Sequence, residues 1–165
     1  MTAAGTIPLR RSPARVADML RAIGDLMGPQ ARALDVTLNV TIDDGVPSKI
    51  SIDGHKIAWA VSALVGNALR YVRHGSQSMP GGSIAVRAGY QAIRPSVVIE
   101  VQDDGPGIPP EKLPVLFERG PGHERAGLGL LIVRDFVIAH AGHLDIRSSS
   151  DAAAPGTIVR ITLPI

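Results

Sequence analysis

Apolar residues recur along the first third of the chain at two different periods. In "SPARVADMLRAIGDLMGPQARAL" they fall at Val16, Leu20, Ile23 and Leu26 or Met27, the spacing of one helix face. This predicts a helix with Ser12 as N-cap and Pro13 in its first turn, broken or bent at "GPQ". "DVTLNVTI" then alternates strictly, with Val36, Leu38, Val40 and Ile42 on one side of a half-buried strand. "DDGVPS" reads as a turn and "KISI" as a second, short strand, after which Asp53 caps a helix over "GHKIAWAVSALVGNALRYVRHG". Beyond the loop "SQSMPGG", the runs "SIAVRAGY" and "SVVIEVQDD" predict two strands joined near Arg94 and Pro95. "PPEKLPVLFERG" predicts a short, proline-interrupted helix, and "GLGLLIVRDFVIAHAG" a strong amphipathic one ended by Gly142. "HLDIRSS" and "GTIVRITL" close the chain as a strand pair. Several strands with three main helices predict a two-layer α/β sandwich over residues 12–165, preceded by a loose lead-in over 1–11.

Composition narrows the function more than the fold. The 165 residues suffice for one domain with a real core and are too few for two comfortable ones. A net charge of +2 and 3% aromatic residues argue against a nucleic-acid interface, which needs a basic face with stacking rings. With no cysteine there is neither a disulfide framework nor a thiolate metal site, in keeping with a cytoplasmic setting. The longest uncharged stretch, Ile57 to Leu69, is too short to span a bilayer, and no signal peptide is evident.

Three stretches carry candidate chemistry. "VQDDGPGIP" packs Asp103, Asp104, Gly105 and Gly107 together after an apolar strand, more than a plain turn requires. A carboxylate at a strand end can accept a hydrogen bond from an exocyclic amine, while glycines let a ring lie against bare backbone. A β-turn whose acid caps a helix explains the stretch equally well. In "GLGLLIV", Gly127 and Gly129 open a helix whose free N–H groups suit a phosphate, although a loop before a core helix reads as naturally. It is not a dinucleotide fingerprint, because Ile132 stands at the third glycine position, and no phosphate-loop lysine follows a glycine run. Asn67 lies within an apolar helical run, where an amide is costly unless paired; it either bonds backbone or offers its oxygen to a hard cation such as magnesium. Arg70, three residues on, shares that helix side and can meet phosphate. The five histidines, His55, His74, His123, His140 and His143, form no recognisable metal or catalytic spacing and read as structural or surface residues.

The order of these pieces is more specific than any one of them. An inward asparagine, Asp-x-Gly-x-Gly, "LFER", Gly-Leu-Gly-Leu and "GTIVRITLP" follow one another, and from about Pro8 to Pro164 the chain resembles the ATP-binding catalytic domain of sensor histidine kinases. That superfamily is shared with gyrase, MutL and the heat-shock chaperone ATPases. The resemblance implies a Bergerat-type sandwich, a mixed and mainly antiparallel sheet with helices on one face, binding ATP with Mg2+. It implies Asn67 at the magnesium position, with Arg70 and Tyr71 where the family usually has Lys-Tyr, and Arg73 as a further phosphate contact. Asp103, not Asp104, would stand opposite adenine, with Gly105, Gly107 and Ile108 in the first glycine box. Gly127, Leu128, Gly129 and Leu130 match the second glycine box, and the strand start Gly156-Thr157 would line the adenine pocket. No residue is implied as a nucleophile.

Three departures qualify the match. Ala63 stands where the family often has a second asparagine, and near where hydrolytic cousins place a glutamate base. Only "PGHERA" separates Gly120 from Gly127, a short lid. No helix pair carries a phosphoacceptor histidine; His123-Glu124 begins like one but lies in the lid. The implied function is Mg-ATP binding and presentation of the γ-phosphate to a histidine on a separate dimerisation domain, in cis in a longer protein or in trans, with a response regulator downstream. A stand-alone anti-sigma-type serine kinase and a degenerate nucleotide-binding docking module are the alternatives.

Overall fold

A computed structural model describes residues 7–116 and 128–165, excluding the side chain of Leu128. Its elements run β1(Ser12–Ala14), α1(Val16–Ala33), β2(Thr37–Ile42), β3(Ile50–Ile52), α2(Gly54–Tyr71), β4(Ser83–Gln91), β5(Ser96–Asp103), α3(Leu128–Ala139), β6(His143–Ser149) and β7(Gly156–Pro164). Five strands form one sheet in the order β2-β4-β5-β7-β6, with β2 parallel to β4 and the other pairs antiparallel. β1 and β3 form a separate antiparallel pair. This is the mixed α/β sandwich expected from the pattern.

Alternation along the strands explains the layering. Ile84, Val86 and Ala88 of β4, Ile99 and Val101 of β5, and Val159, Ile161 and Leu163 of β7 are buried on the helix side. There they meet Leu20 and Ile23 of α1, Ile57, Val61, Leu64 and Val65 of α2, and Val133 and Val137 of α3 in one continuous core. The other face carries a charged row set by the strand register, Arg87 beside Glu100 beside Arg160 beside Asp145. Arg87 also makes a two-pronged contact with Asp43, at 3.2 and 2.8 Å.

Four local expectations need correction. Ser12 is not a helix cap: Ser12–Ala14 pairs with Ile50–Ile52, and α1 starts at Val16 behind Arg15, which makes no side-chain cap. The residue before a proline prefers extended backbone, and long-range bonds from Arg10 N–H to Asp53 Oδ2 (2.9 Å) and from Arg11 to the Ser51 carbonyl hold this arm straight. Nor does "GPQ" end α1, which runs through Pro29 to Ala33. Residues 110–116 form turns, not a helix; the rest of "PPEKLPVLFERG" lies outside the described residues. Gly142 does follow α3, but the left-handed residue is Ala141 (φ 57°). Its N–H reaches Ile138 O while that of Gly142 reaches Val137 O, a Schellman closure. α1 closes the same way through Asp35 (φ 54°).

Candidate functional site

Moving along the inner face of β5, β7 and β6, the paired residues are Ile99–Ile161–Leu144, then Val101–Val159–Ile146, then Asp103–Thr157–Ser148. The face is apolar for two rows and turns polar at the third. A cavity of about 310 Å³ opens there, between the sheet end, α2 and the segment following β5. Leu64, Ala68, Val101, Ile146 and Val159 make its apolar wall, and Asn67, Asp103 and Thr157 supply neutral or anionic polar groups. Tyr71, Gly107, Ile108 and Leu130 also line it.

α2 positions Asn67 and Tyr71 one turn apart. Asp53 starts that helix by accepting the Lys56 N–H at 3.2 Å, and apolar residues at helical spacing turn one side of it into the core. Asn67 is half-buried at the cavity edge, and among the described residues no protein hydrogen bond to its side chain is found. Ala63, one turn earlier, supplies no oxygen.

The two acidic neighbours are separated by the strand's alternation. Asp104 Oδ1 accepts from the Ser83 N–H at 2.8 Å and Oδ2 from the Ser83 hydroxyl at 3.2 Å, which engages it at the start of β4. Asp103 lines the cavity, its Oδ1 accepting the Gly105 N–H at 2.9 Å. Burial pushes the Asp103 carboxyl above the usual carboxylate range, and the Asp104 charge adds to this; the N–H groups of Gly105 and Thr157 pull the other way.

Two glycines permit the close approach of the surrounding backbone. At Gly107 φ is +75°, and a Cβ would collide with the Ser149 carbonyl oxygen; at Gly156 φ is +150°, and a Cβ would collide with that of Asp103. Other expected site residues do not line the cavity. Arg70 is exposed, Arg73 donates through Nε to the Pro80 carbonyl at 2.9 Å, and Gly105 contributes through its bond to Asp103. Gly129 sits in the first turn of α3 with open space where a side chain would be. Gly127, the "LFERG" stretch from Phe117 onward and His123-Glu124 lie outside the described residues, as does the Leu128 side chain.

Sequence reading missed Lys112, the single cation among the described lining residues, and Ser148, whose Oγ accepts the Ile108 N–H at 2.7 Å. Alternation in "HLDIRSS" puts Ser148 on the same side as Leu144 and Ile146, but its meeting with Ile108 depends on packing between segments forty residues apart.

Residues 52–165 match the family described as histidine kinase-, DNA gyrase B- and HSP90-like ATPases. The chain belongs to this family. Within it, the chain has the catalytic domain of sensor histidine kinases. It is 30% identical over 168 residues to the signal transduction histidine-protein kinase AfsQ2 of Streptomyces coelicolor, covering 98% of this chain and 28% of that protein. It is 36% identical over 119 residues to the kinase/phosphatase MprB of Mycolicibacterium smegmatis, covering 68% of this chain and 23% of the relative. The chain thus spans about a quarter of the length of these relatives. A solved mycobacterial sensor histidine kinase MprB superposes with a TM-score of 0.72 at 29% identity, covering 93% of this chain and 97% of that one. The full-length ShkA kinase in complex with AMPPNP shares the fold, with a TM-score of 0.82 at 24% identity over 98% of this chain and 32% of that one. Among the described residues no helix is long and apolar enough to cross a membrane.

Proposed function

We propose that the cavity binds Mg-ATP and that the domain, residues 12–165, presents the γ-phosphate to a histidine on a separate dimerisation domain, within two-component signalling on the cytoplasmic side. The observation that carries this reading is the Asp103–Thr157 pair at the polar end of an otherwise apolar cavity, facing an α2 helix that carries Asn67. An apolar slot with few polar groups suits a flat heteroaromatic ring, and an ionised carboxylate at its end suits an exocyclic amine. Ile108 and the apolar wall hold the ring; Gly107 lets the loop backbone close against β6.

Phosphoryl transfer is mostly positioning and charge neutralisation, so the residues assigned are binders. The amide oxygen of Asn67 is the group that would hold magnesium, one protein oxygen being compatible with an ion that keeps waters and phosphates as its other ligands. Bound magnesium supplies charge neutralisation across the phosphates. Arg70 at the end of α2 and the N–H groups that open α3, at Leu128 and Gly129 and just before them at Gly127, are the proposed phosphate contacts. The histidine acceptor is favoured over a serine-kinase reading because AfsQ2, MprB and the CusS sensor of Escherichia coli, all at 30% identity or above, are sensor histidine kinases. A response regulator would then receive the phosphate. The test is calorimetric titration of this chain with ATP and magnesium, followed by transfer from labelled ATP to a separately supplied acceptor-histidine domain. Saturable ATP binding and acid-labile label on the acceptor are expected; absence of ATP binding sinks the reading.

A further inference from the structure

Ser148 sits beside the cavity without lining it, yet its hydroxyl meets three groups. Oγ accepts the Ile108 N–H at 2.7 Å, lies 3.1 Å from the Gly156 carbonyl oxygen, and lies 2.8 Å from Thr157 Oγ1. A serine hydroxyl has one hydrogen and two lone pairs. The Ile108 amide is only a donor, so it takes one lone pair. The Gly156 carbonyl is only an acceptor, so it takes the hydrogen. One lone pair remains, and the contact with Thr157 is completed only if Thr157 donates its own hydrogen to Ser148. One arrangement of protons satisfies all three contacts, and it leaves Thr157 with lone pairs alone to offer elsewhere.

We propose that Ser148 is a positioning residue that makes the base-facing end of the cavity acceptor-only, and thereby selects a ring edge bearing an amine over one bearing a carbonyl. The inference rests on the nucleotide reading of the cavity. Thr157 is paired with Asp103 in the strand register and both line the cavity, so an acceptor-only threonine stands next to a carboxylate. A six-amino purine brings two N–H groups to such a pair. A six-oxo purine brings a carbonyl, oxygen against oxygen. Ser148 also ties the loop carrying Ile108 to β6, so its loss has a structural component that must be separated from its effect on Thr157.

The separating readout is a ratio of affinities. Wild type and Ser148→Ala are titrated with ATP and with inosine triphosphate. Without Ser148, the Thr157 hydroxyl is free to turn its hydrogen into the cavity and meet a carbonyl. The preference for ATP over inosine triphosphate is expected to shrink by roughly tenfold, the size of one hydrogen bond. Ser148→Thr, which keeps the hydroxyl, should restore it. Ser148→Cys, a weaker hydrogen-bonding partner of similar shape, gives the same test with a smaller change should the alanine variant unfold. Equal weakening of both nucleotides in either variant overturns the inference and leaves Ser148 as a loop tether. Wild-type protein that binds neither nucleotide overturns the nucleotide reading itself, a distinct result.

Discussion

Asp103 and Asp104 are adjacent in the chain and have different surroundings. Asp104 is engaged with Ser83 at a sheet end; Asp103 is held in an acceptor role at a cavity wall, where burial raises its pKa. A carboxyl whose folded pKa lies above its unfolded value adds stability when protonated at low pH, and this is lost as pH rises through the carboxylate range. At neutral pH the ionised Asp103 therefore costs stability in the empty protein. Asp103→Asn should leave the melting temperature without ligand unchanged or higher while weakening ATP binding by roughly one to two orders of magnitude, the worth of a hydrogen bond to a charged group. The amide can also donate to a carbonyl, so discrimination against GTP should shrink. Asp104→Asn should keep ATP affinity near wild type. Melting temperatures of the three proteins without nucleotide and with ATP or GTP test both halves; loss of ATP binding in Asp104→Asn alone would reverse the assignment. The identity of the pocket-facing acid follows the strand alternation in "SVVIEVQDD", whereas the desolvation that raises its pKa depends on burial that only the folded chain provides.

At the scale of elements, the start of α2, the end of α3 and the N-terminal arm meet at one buried polar junction. Asp53 is 3% exposed and His140 is 1% exposed. The Asp53 N–H donates to His140 Nε2 at 2.9 Å, and Nδ1, 2.7 Å from the Phe136 carbonyl, carries the proton. The ring is thus neutral in one tautomer, and burial lowers its pKa, with Arg11 and Lys56 pushing the same way against the Phe136 carbonyl and Asp53. The Asp53 carboxylate accepts from Arg10 N–H, Lys56 N–H and Lys56 Nζ, bonds that hold its pKa well below the usual range despite burial. Both groups are depressed, so both contribute stability that is lost as pH falls: His140 from near its ordinary 6.5 downward, Asp53 only below 3.8. Thermal unfolding should therefore show stability declining as pH falls below about 6.5, a decline that His140→Gln flattens. Asp53→Ala should cost about 2 kcal/mol at pH 7, the upper end for a lost N-cap, measured by urea denaturation. A pH profile unchanged by His140→Gln would remove His140 as the titrating group.

At the scale of the whole molecule, the cavity lies at one end of the sheet and several described histidines lie away from it. His143 begins β6, five residues from Ser148 and so roughly 17 Å along the strand. His55 precedes Asn67 by twelve helical residues, about 18 Å. His140 has both ring nitrogens engaged, and Nε2 of His74 bonds the Leu69 carbonyl at 2.9 Å. None of these described histidines is placed as an acceptor and His123 lies outside the described residues; the expected outcome is that the isolated chain binds ATP without labelling itself. Incubation with γ-labelled ATP at neutral pH, followed by an acid-lability test, checks this; stable incorporation of acid-labile phosphate into the chain would contradict it. The open sheet face adds nothing to the nucleotide reading: its Arg87–Glu100–Arg160–Asp145 row alternates in sign and keeps that surface charged.

Much of this protein is determined by the sequence alone. Strict alternation located the edge strand β2, apolar runs located the later strands, helical spacing located the three helices, and the order of asparagine, glycine and aspartate motifs identified the family, because each signal is local or sits at a fixed offset. The tertiary structure decided what depends on contacts between distant segments. Ser12–Ala14 is a strand because Ile50–Ile52 and Asp53 lie beside it, although its spacing from Val16 suits a helix start. Arg73 is engaged with the Pro80 carbonyl across a loop, while Lys112 enters the cavity through turns that "PPEKLP" does not announce. Ser148 reaches Ile108 and Thr157 only once β6 is paired with β7, and register across forty residues is written in no short stretch of chain.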